Sequence, residues 1–146
     1  MARIGLLEDN TRIAKLCATM LQYAGHHVVV YEHPHECLQA LLPRLPQMGP
    51  YEKWQDHVNV LPSASLPVDV LILDLHLPDM DGIEVIQYLS THPRTRSLPL
   101  IFCTAATPSE IAQALSMAPH ASFIEKPFTF QQLTSTVKNV LALPAK

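Results

Sequence analysis

Val68-Asp69-Val70-Leu71-Ile72-Leu73-Asp74 reads as one strand, strongly apolar over residues 68–73 and closed by an acid. A strand with a run of consecutive apolar residues, not only alternate ones, is buried on both faces, which means a parallel sheet with helices above and below. The flanking chain fits that reading. Upstream, Arg3–Glu8 is a short apolar run ending in acids, and Val28–Tyr31 reads as a second strand. Between them, Ile13, Leu16, Cys17, Met20 and Leu21 recur at helical spacing, and Gly25 stands where a C-terminal cap belongs. A second helix is predicted from about Pro34, carrying Cys37, Leu38, Leu41 and Leu42. Downstream, Gly82–Thr91 is helical, with Ile83, Ile86 and Leu89 on one face, and Leu98–Cys103 is a fourth strand. Thr107-Pro108-Ser109-Glu110 spells a helix start, although the helix it opens is thinly apolar. Ala121–Glu125 is a fifth strand, and a last helix aligns Phe130, Leu133, Val137, Val140 and Leu141. Five strands alternate with five helices. The fold class is α/β, doubly wound.

Composition narrows the function classes. The chain has 146 residues, 48% of them apolar and 16% charged, which suits one domain and excludes a disordered chain. Ten Lys+Arg against thirteen Asp+Glu argue against a general grip on nucleic acid. No apolar run approaches the roughly 18 residues of a membrane span, and the N-terminus lacks the shape of a signal peptide. Three widely spaced cysteines, Cys17, Cys37 and Cys103, form no zinc or disulfide framework. A cytoplasmic setting is expected. Residues 43–67 hold five prolines, the only Trp and no strong period, and read as an inserted loop.

In a doubly wound sheet, ligands bind outside the carboxyl ends of the strands. Those ends carry Glu8 and Asp9, then Asp74, Thr104 and Lys126. Singly, an acid after a strand is often a helix cap, and Asp9-Asn10 could serve the first helix that way. Together, three close carboxylates repel, and without a cation at least one is expected to shift towards protonation. A divalent ion relieves that repulsion, and an oxygen-only donor set suits Mg2+ over zinc. The eight histidines form no such set: His26-His27 and the Glu32-His33-Pro34-His35-Glu36 run read as solvated polar residues.

The run Asp74-Leu75-His76-Leu77-Pro78-Asp79-Met80-Asp81-Gly82 resembles the phosphoacceptor loop of response-regulator receiver domains. Glu8-Asp9, Thr104-Ala105 and Lys126-Pro127-Phe128 complete that family's pattern in its usual order. The resemblance covers essentially the whole chain apart from the insert. It implies a flavodoxin-like, CheY-like sheet in the order 2-1-3-4-5. Asp74 is then the phosphoacceptor, taking a phosphoryl group from a phosphohistidine on a sensor histidine kinase or a histidine phosphotransfer protein. Asp9 and Asp74 would hold Mg2+ directly, Glu8 largely through water, and the backbone carbonyl of His76 would fill another position. Thr104 and the Ala105 amide would bind phosphoryl oxygens, with Lys126 supplying positive charge. Thr104 and Phe123 would form the switch, altering a face made by the fourth helix, fifth strand and fifth helix, where an unknown downstream protein docks. His76 holds a position that, in receivers, influences attack by water on the phosphoryl group. The Lys126-Pro127 bond is expected to be cis by the same analogy.

Two departures from the family pattern stand out. Ala118-Pro119-His120 replaces the glycine usual before the fifth strand, and the insert lengthens the path from Asp9 to Asp74. The implied function is a signalling module, not an enzyme with a separate substrate. A Mg2+-dependent phosphohydrolase with an aspartyl-phosphate intermediate is the alternative, although His76 stands where such enzymes want a second acid. A flavin- or nucleotide-binding domain would need a Gly-rich loop, and the four glycines form none. A homodimer stays open; a nucleic-acid or membrane partner is not expected. The start at Met1 favours a stand-alone receiver over a piece of a longer chain.

Overall fold

The computed structural model describes residues 2–42, 66–77 and 80–142. Five strands, β1 Arg3–Leu7, β2 His27–Tyr31, β3 Val70–Leu73, β4 Leu100–Thr104 and β5 Ser122–Glu125, form one sheet in the order β2-β1-β3-β4-β5. Every neighbouring pair is parallel. The helices are α1 Thr11–Tyr23, α2 Pro34–Leu41, α3 Gly82–Thr91, α4 Pro108–Met117 and α5 Phe130–Ala142. All ten expected elements are present in the expected order.

The strands divide their side chains between two cores, as a two-residue period requires. Ile4, Leu6, Val70, Ile72, Ile101, Cys103 and Ile124 pack on one face with Cys17 and Leu21 of α1 and Leu133 and Val137 of α5. Leu7, Leu71, Leu73, Leu100 and Phe102 pack on the other face with Cys37 of α2, Ile86 and Leu89 of α3, and Ala114 of α4. Burial on both faces is why β1, β3 and β4 carry no polar alternation.

Local boundaries differ from the sequence expectation in a few places. Val68 is buried but precedes the ladder, so β3 begins at Val70. Strand β4 begins two residues late and takes in Thr104. Leu16, expected on the apolar face of α1, is exposed, while Ala14 takes an inward position. Gly25 has φ +96°, the left-handed conformation expected just past the end of α1. The Lys126-Pro127 peptide is cis. Over 43–65 the expected insert lies outside the described residues. Among the described residues no helix is long and apolar enough to cross a membrane.

Candidate functional site

Register brings the site together. Leu7 pairs with Leu73, so Glu8 and Asp74 leave adjacent strands side by side. The Asp74 amide donates to Leu7 O at 3.2 Å, and the Glu8 amide to Tyr31 O at 3.2 Å. Here the chain runs from β1 to β2 on one side and later to β3 on the other, which makes this edge the topological switch point. On the far side of β3, Thr104 pairs with Glu125, and the Lys126 amide donates to Thr104 O at 3.0 Å.

Asp74 accepts three hydrogen bonds. Its Oδ1 takes the Thr104 hydroxyl at 2.8 Å and the His76 amide at 3.1 Å, and its Oδ2 takes the Lys126 ammonium at 2.8 Å. Lys126 Nζ also donates to Glu8 Oε1 at 2.6 Å. Thr104, with no exposed surface, accepts the Ala106 amide at 3.1 Å while donating to Asp74, which fixes its rotamer. Asp9 is exposed beside the group, and the N-cap role falls to Asn10, whose Oδ1 accepts from the Arg12 and Ile13 amides. One carboxylate oxygen from each of Glu8, Asp9 and Asp74 lies within 4.8 Å of the others, the one such acidic, histidine or cysteine group among the described residues.

Burial pushes the Glu8 carboxyl up from its usual value, against the lowering pull of Lys126; the charge of Asp74 adds least. The expected shift towards protonation therefore falls on Glu8, but its main cause is desolvation and not mutual repulsion. Burial opposes charge on Lys126 too, yet its bonds to Asp74 and Glu8 outweigh this and raise its pKa. Hard oxygen donors with an uncompensated excess of negative charge fit a small divalent cation.

Every rim residue predicted from the sequence is therefore at this edge: Glu8, Asp9, Asp74, His76, Thr104, Ala105 and Lys126. Phe123 lies elsewhere, on the outer strand β5, and is 45% exposed. It borders an open groove of about 420 Å3 between β5 and α5, with Glu125, Gln132 and Thr136 among its walls. A core role for Phe123 does not fit this exposure.

Two residues at the site carried other signals in the sequence. Glu110 is the N3 residue of a capping box with Thr107, as the Thr-Pro-Ser-Glu pattern predicts. It also bonds His76 Nε2 at 2.7 Å, a tertiary contact no local pattern announces. The Thr107 amide, then His76 and the Thr107 hydroxyl, hold its carboxyl down at about 2, and the same bond raises the His76 pKa. Gly82 was legible only as a helix start. A Cβ there would stand 2.5 Å from Leu75 Cα and 2.7 Å from Asp74 O, so the loop after Asp74 passes against a bare backbone.

Comparison with known proteins places this geometry. Residues 44–138 match the family model of the response regulator receiver domain. That match begins after Glu8 and Asp9, whose place rests on the longer comparisons and on the geometry above. The transcriptional regulatory protein CreB of Escherichia coli is 29% identical over 140 residues, 94% of this chain. The chain spans only half the length of CreB. The CheY-like receiver domain protein of Methanospirillum hungatei superposes with a TM-score of 0.73 at 20% identity, covering 97% of this chain and 94% of that one. The phosphorylated cyanobacterial phytochrome response regulator RcpA gives a TM-score of 0.68 at 25% identity, covering 95% and 90%. Sheet order, rim and family match agree, and the chain belongs to the receiver domain family of two-component response regulators.

Proposed function

We propose that this receiver accepts a phosphoryl group on Asp74, in a Mg2+-dependent transfer from a phosphohistidine, and thereby switches a protein-binding face. The observation that carries this is the Asp74 carboxylate itself, 8% exposed, with a hydroxyl and an ammonium already aimed at its two oxygens. A carboxylate oxygen attacks phosphorus and forms the O–P bond. The P–N bond to the donor imidazole breaks, and the nitrogen keeps that electron pair. Phosphoryl transfer needs positioning and charge neutralisation more than covalent help. Glu8, Asp9 and Asp74 are the residues that would hold Mg2+, with the His76 backbone carbonyl as a further donor. Bound there, the ion supplies charge neutralisation for the transferred group.

Lys126 and Thr104 donate to Asp74 in this state. Once the acyl phosphate forms, the same donors are close enough to turn to phosphoryl oxygens, joined by the Ala105 amide. Moving the Thr104 hydroxyl is the local event that biases the packing beneath it, and a shift in population between two packings follows. The exposed Phe123 and the groove at β5 and α5 are then the surface that reads the change, with α4 beside them. Receiver domains interact with histidine kinases; the cognate kinase or phosphotransfer protein and a downstream protein are the partners proposed here. The chain is its own substrate and no separate substrate is turned over, which sets it apart from a phosphohydrolase. A single domain over residues 1–146 suffices for this chemistry, and a cytoplasmic setting supplies the donor.

Incubation with acetyl phosphate, followed by intact-mass analysis with and without chelator, tests the reading. One phosphoryl adduct is expected, dependent on Mg2+ and absent in Asp74→Asn. An adduct that survives Asp74→Asn, or steady turnover of a small phosphomonoester, overturns it.

A further inference from the structure

Helix α4 is held by little packing: of its ten residues Ala114 alone is buried. Its two ends are anchored unequally. At the C-terminal end, Ala118 is fully buried and its amide donates to Ala114 O at 3.0 Å. Pro119 follows, with a fixed φ and no N–H to continue the helix. The Ala121 amide then closes the corner on Ala118 O at 3.0 Å. Tertiary bonds fasten this corner to its neighbours. His120 Nε2 lies 3.0 Å from Leu98 O, just ahead of β4, and the Ser90 hydroxyl of α3 donates to Met117 O at 3.4 Å. A carbonyl oxygen only accepts, so Nε2 is the donor. At the N-terminal end, the connection from β4 runs through the Ala106 amide, which donates to Thr104 Oγ1 at 3.1 Å. That acceptor is the hydroxyl expected to turn towards the phosphoryl group. The other tie at this end, His76 to Glu110, joins side chains 54% and 38% exposed, and an exposed pair yields readily.

We propose that His120 is a pin that roots the C-terminal corner of α4, so that phosphorylation swings the helix about that end and moves mainly its first turn. The inference rests on the reading of Thr104 as a switch beside an Asp74 acceptor. When the Thr104 hydroxyl leaves its place, the Ala106 amide either follows it or loses its acceptor, and the first turn of α4 is displaced with the loop. Ala118 cannot follow without giving up its burial and the bonds made by His120 and Ser90. A few residues at the end of an element absorb such a rotation, and here they are those of the pinned corner. The part of the switch face that moves is then the start of α4, while the contact between His120 and Leu98 stays closed.

Amide hydrogen exchange, resolved by NMR, is compared in the parent, His120→Ala and His120→Gln, each with Mg2+ alone and with Mg2+ and beryllofluoride, an analogue of the phosphoryl group. In the parent, beryllofluoride is expected to change exchange at Ala106 and Glu110 and to leave Ala118 and Ala121 unchanged. In His120→Ala, before beryllofluoride is added, Ala118 and Ala121 should exchange about two- to tenfold faster, the range for one lost hydrogen bond. The effect of beryllofluoride should then also reach them. His120→Gln carries an N–H at a reach similar to that of Nε2 and should restore the parent pattern, which separates the bond from the bulk of the ring. Equal effects of beryllofluoride at both ends of α4 in the parent overturn the inference. So does exchange at Ala121 indifferent to His120→Ala, or a Gln variant that behaves like the Ala variant. If beryllofluoride changes nothing at Ala106, the switch reading fails instead, and exchange at Ala118 and Ala121 in its absence still decides whether His120 pins the corner.

Discussion

Glu8 sits between two opposing influences, burial against the ammonium of Lys126, and burial wins. The sign of its pH dependence follows. A carboxyl whose folded pKa is raised contributes stability that is present below its unfolded value, about 4.3, and is lost as pH rises through the folded value. At neutral pH and without metal, ionised Glu8 is therefore a net cost. Glu8→Gln should raise stability at pH 7 in chelator, with the gain shrinking towards pH 4. Denaturant unfolding at the two pH values checks this, and a variant less stable at pH 7 would contradict it. The acids were legible in the sequence because each follows a strand of unmistakable apolar character. The double grip of Lys126 on Glu8 and Asp74 was not, since it spans 118 and 52 residues.

At the scale of single elements, caps and close approaches position the rim. Asn10 starts α1, which leaves Asp9 unengaged by the helix, and Thr107 with Glu110 starts α4. Thr129 and Gln132 reciprocate in the same manner at the start of α5. These are short-range bonds between residues two or three apart, so local sequence reports them. Gly82 is different, because the backbone it meets belongs to Leu75 and Asp74. Gly82→Ala should cost about 1–3 kcal/mol through overpacking, because neither obstructing atom is a side-chain end that can swing away. It should also slow phosphorylation by displacing the Asp74 carbonyl. Chemical denaturation and the rate of adduct formation measure the two effects; an unperturbed variant would show that α3 shifts at little cost.

For the whole molecule, the order β2-β1-β3-β4-β5 places Glu8, Asp9, Asp74, Thr104 and Lys126 at the carboxyl edge of the sheet. The chain leaves α2 at Leu41 and enters β3 at Val70, the amino end of that strand. Replacing residues 43–65 by a short Gly/Ser link should therefore leave Mg2+-dependent phosphorylation intact. Stability should change by no more than about 1 kcal/mol, since each doubling of loop length costs only about 0.6 kcal/mol. Loss of the adduct in that variant would show that the segment reaches the opposite edge. Sequence alone determined the alternation of elements, the parallel sheet and the identity of the rim residues, because apolar period and strand-ending residues are local properties of the chain. Tertiary structure decided the rest. It turned Leu16 and Phe123 outward, joined Lys126 to two acids, laid Gly82 against Asp74 and bonded His76 to Glu110. Each of these depends on the distance between segments far apart in sequence, which is fixed only when both layers of helices close on the sheet.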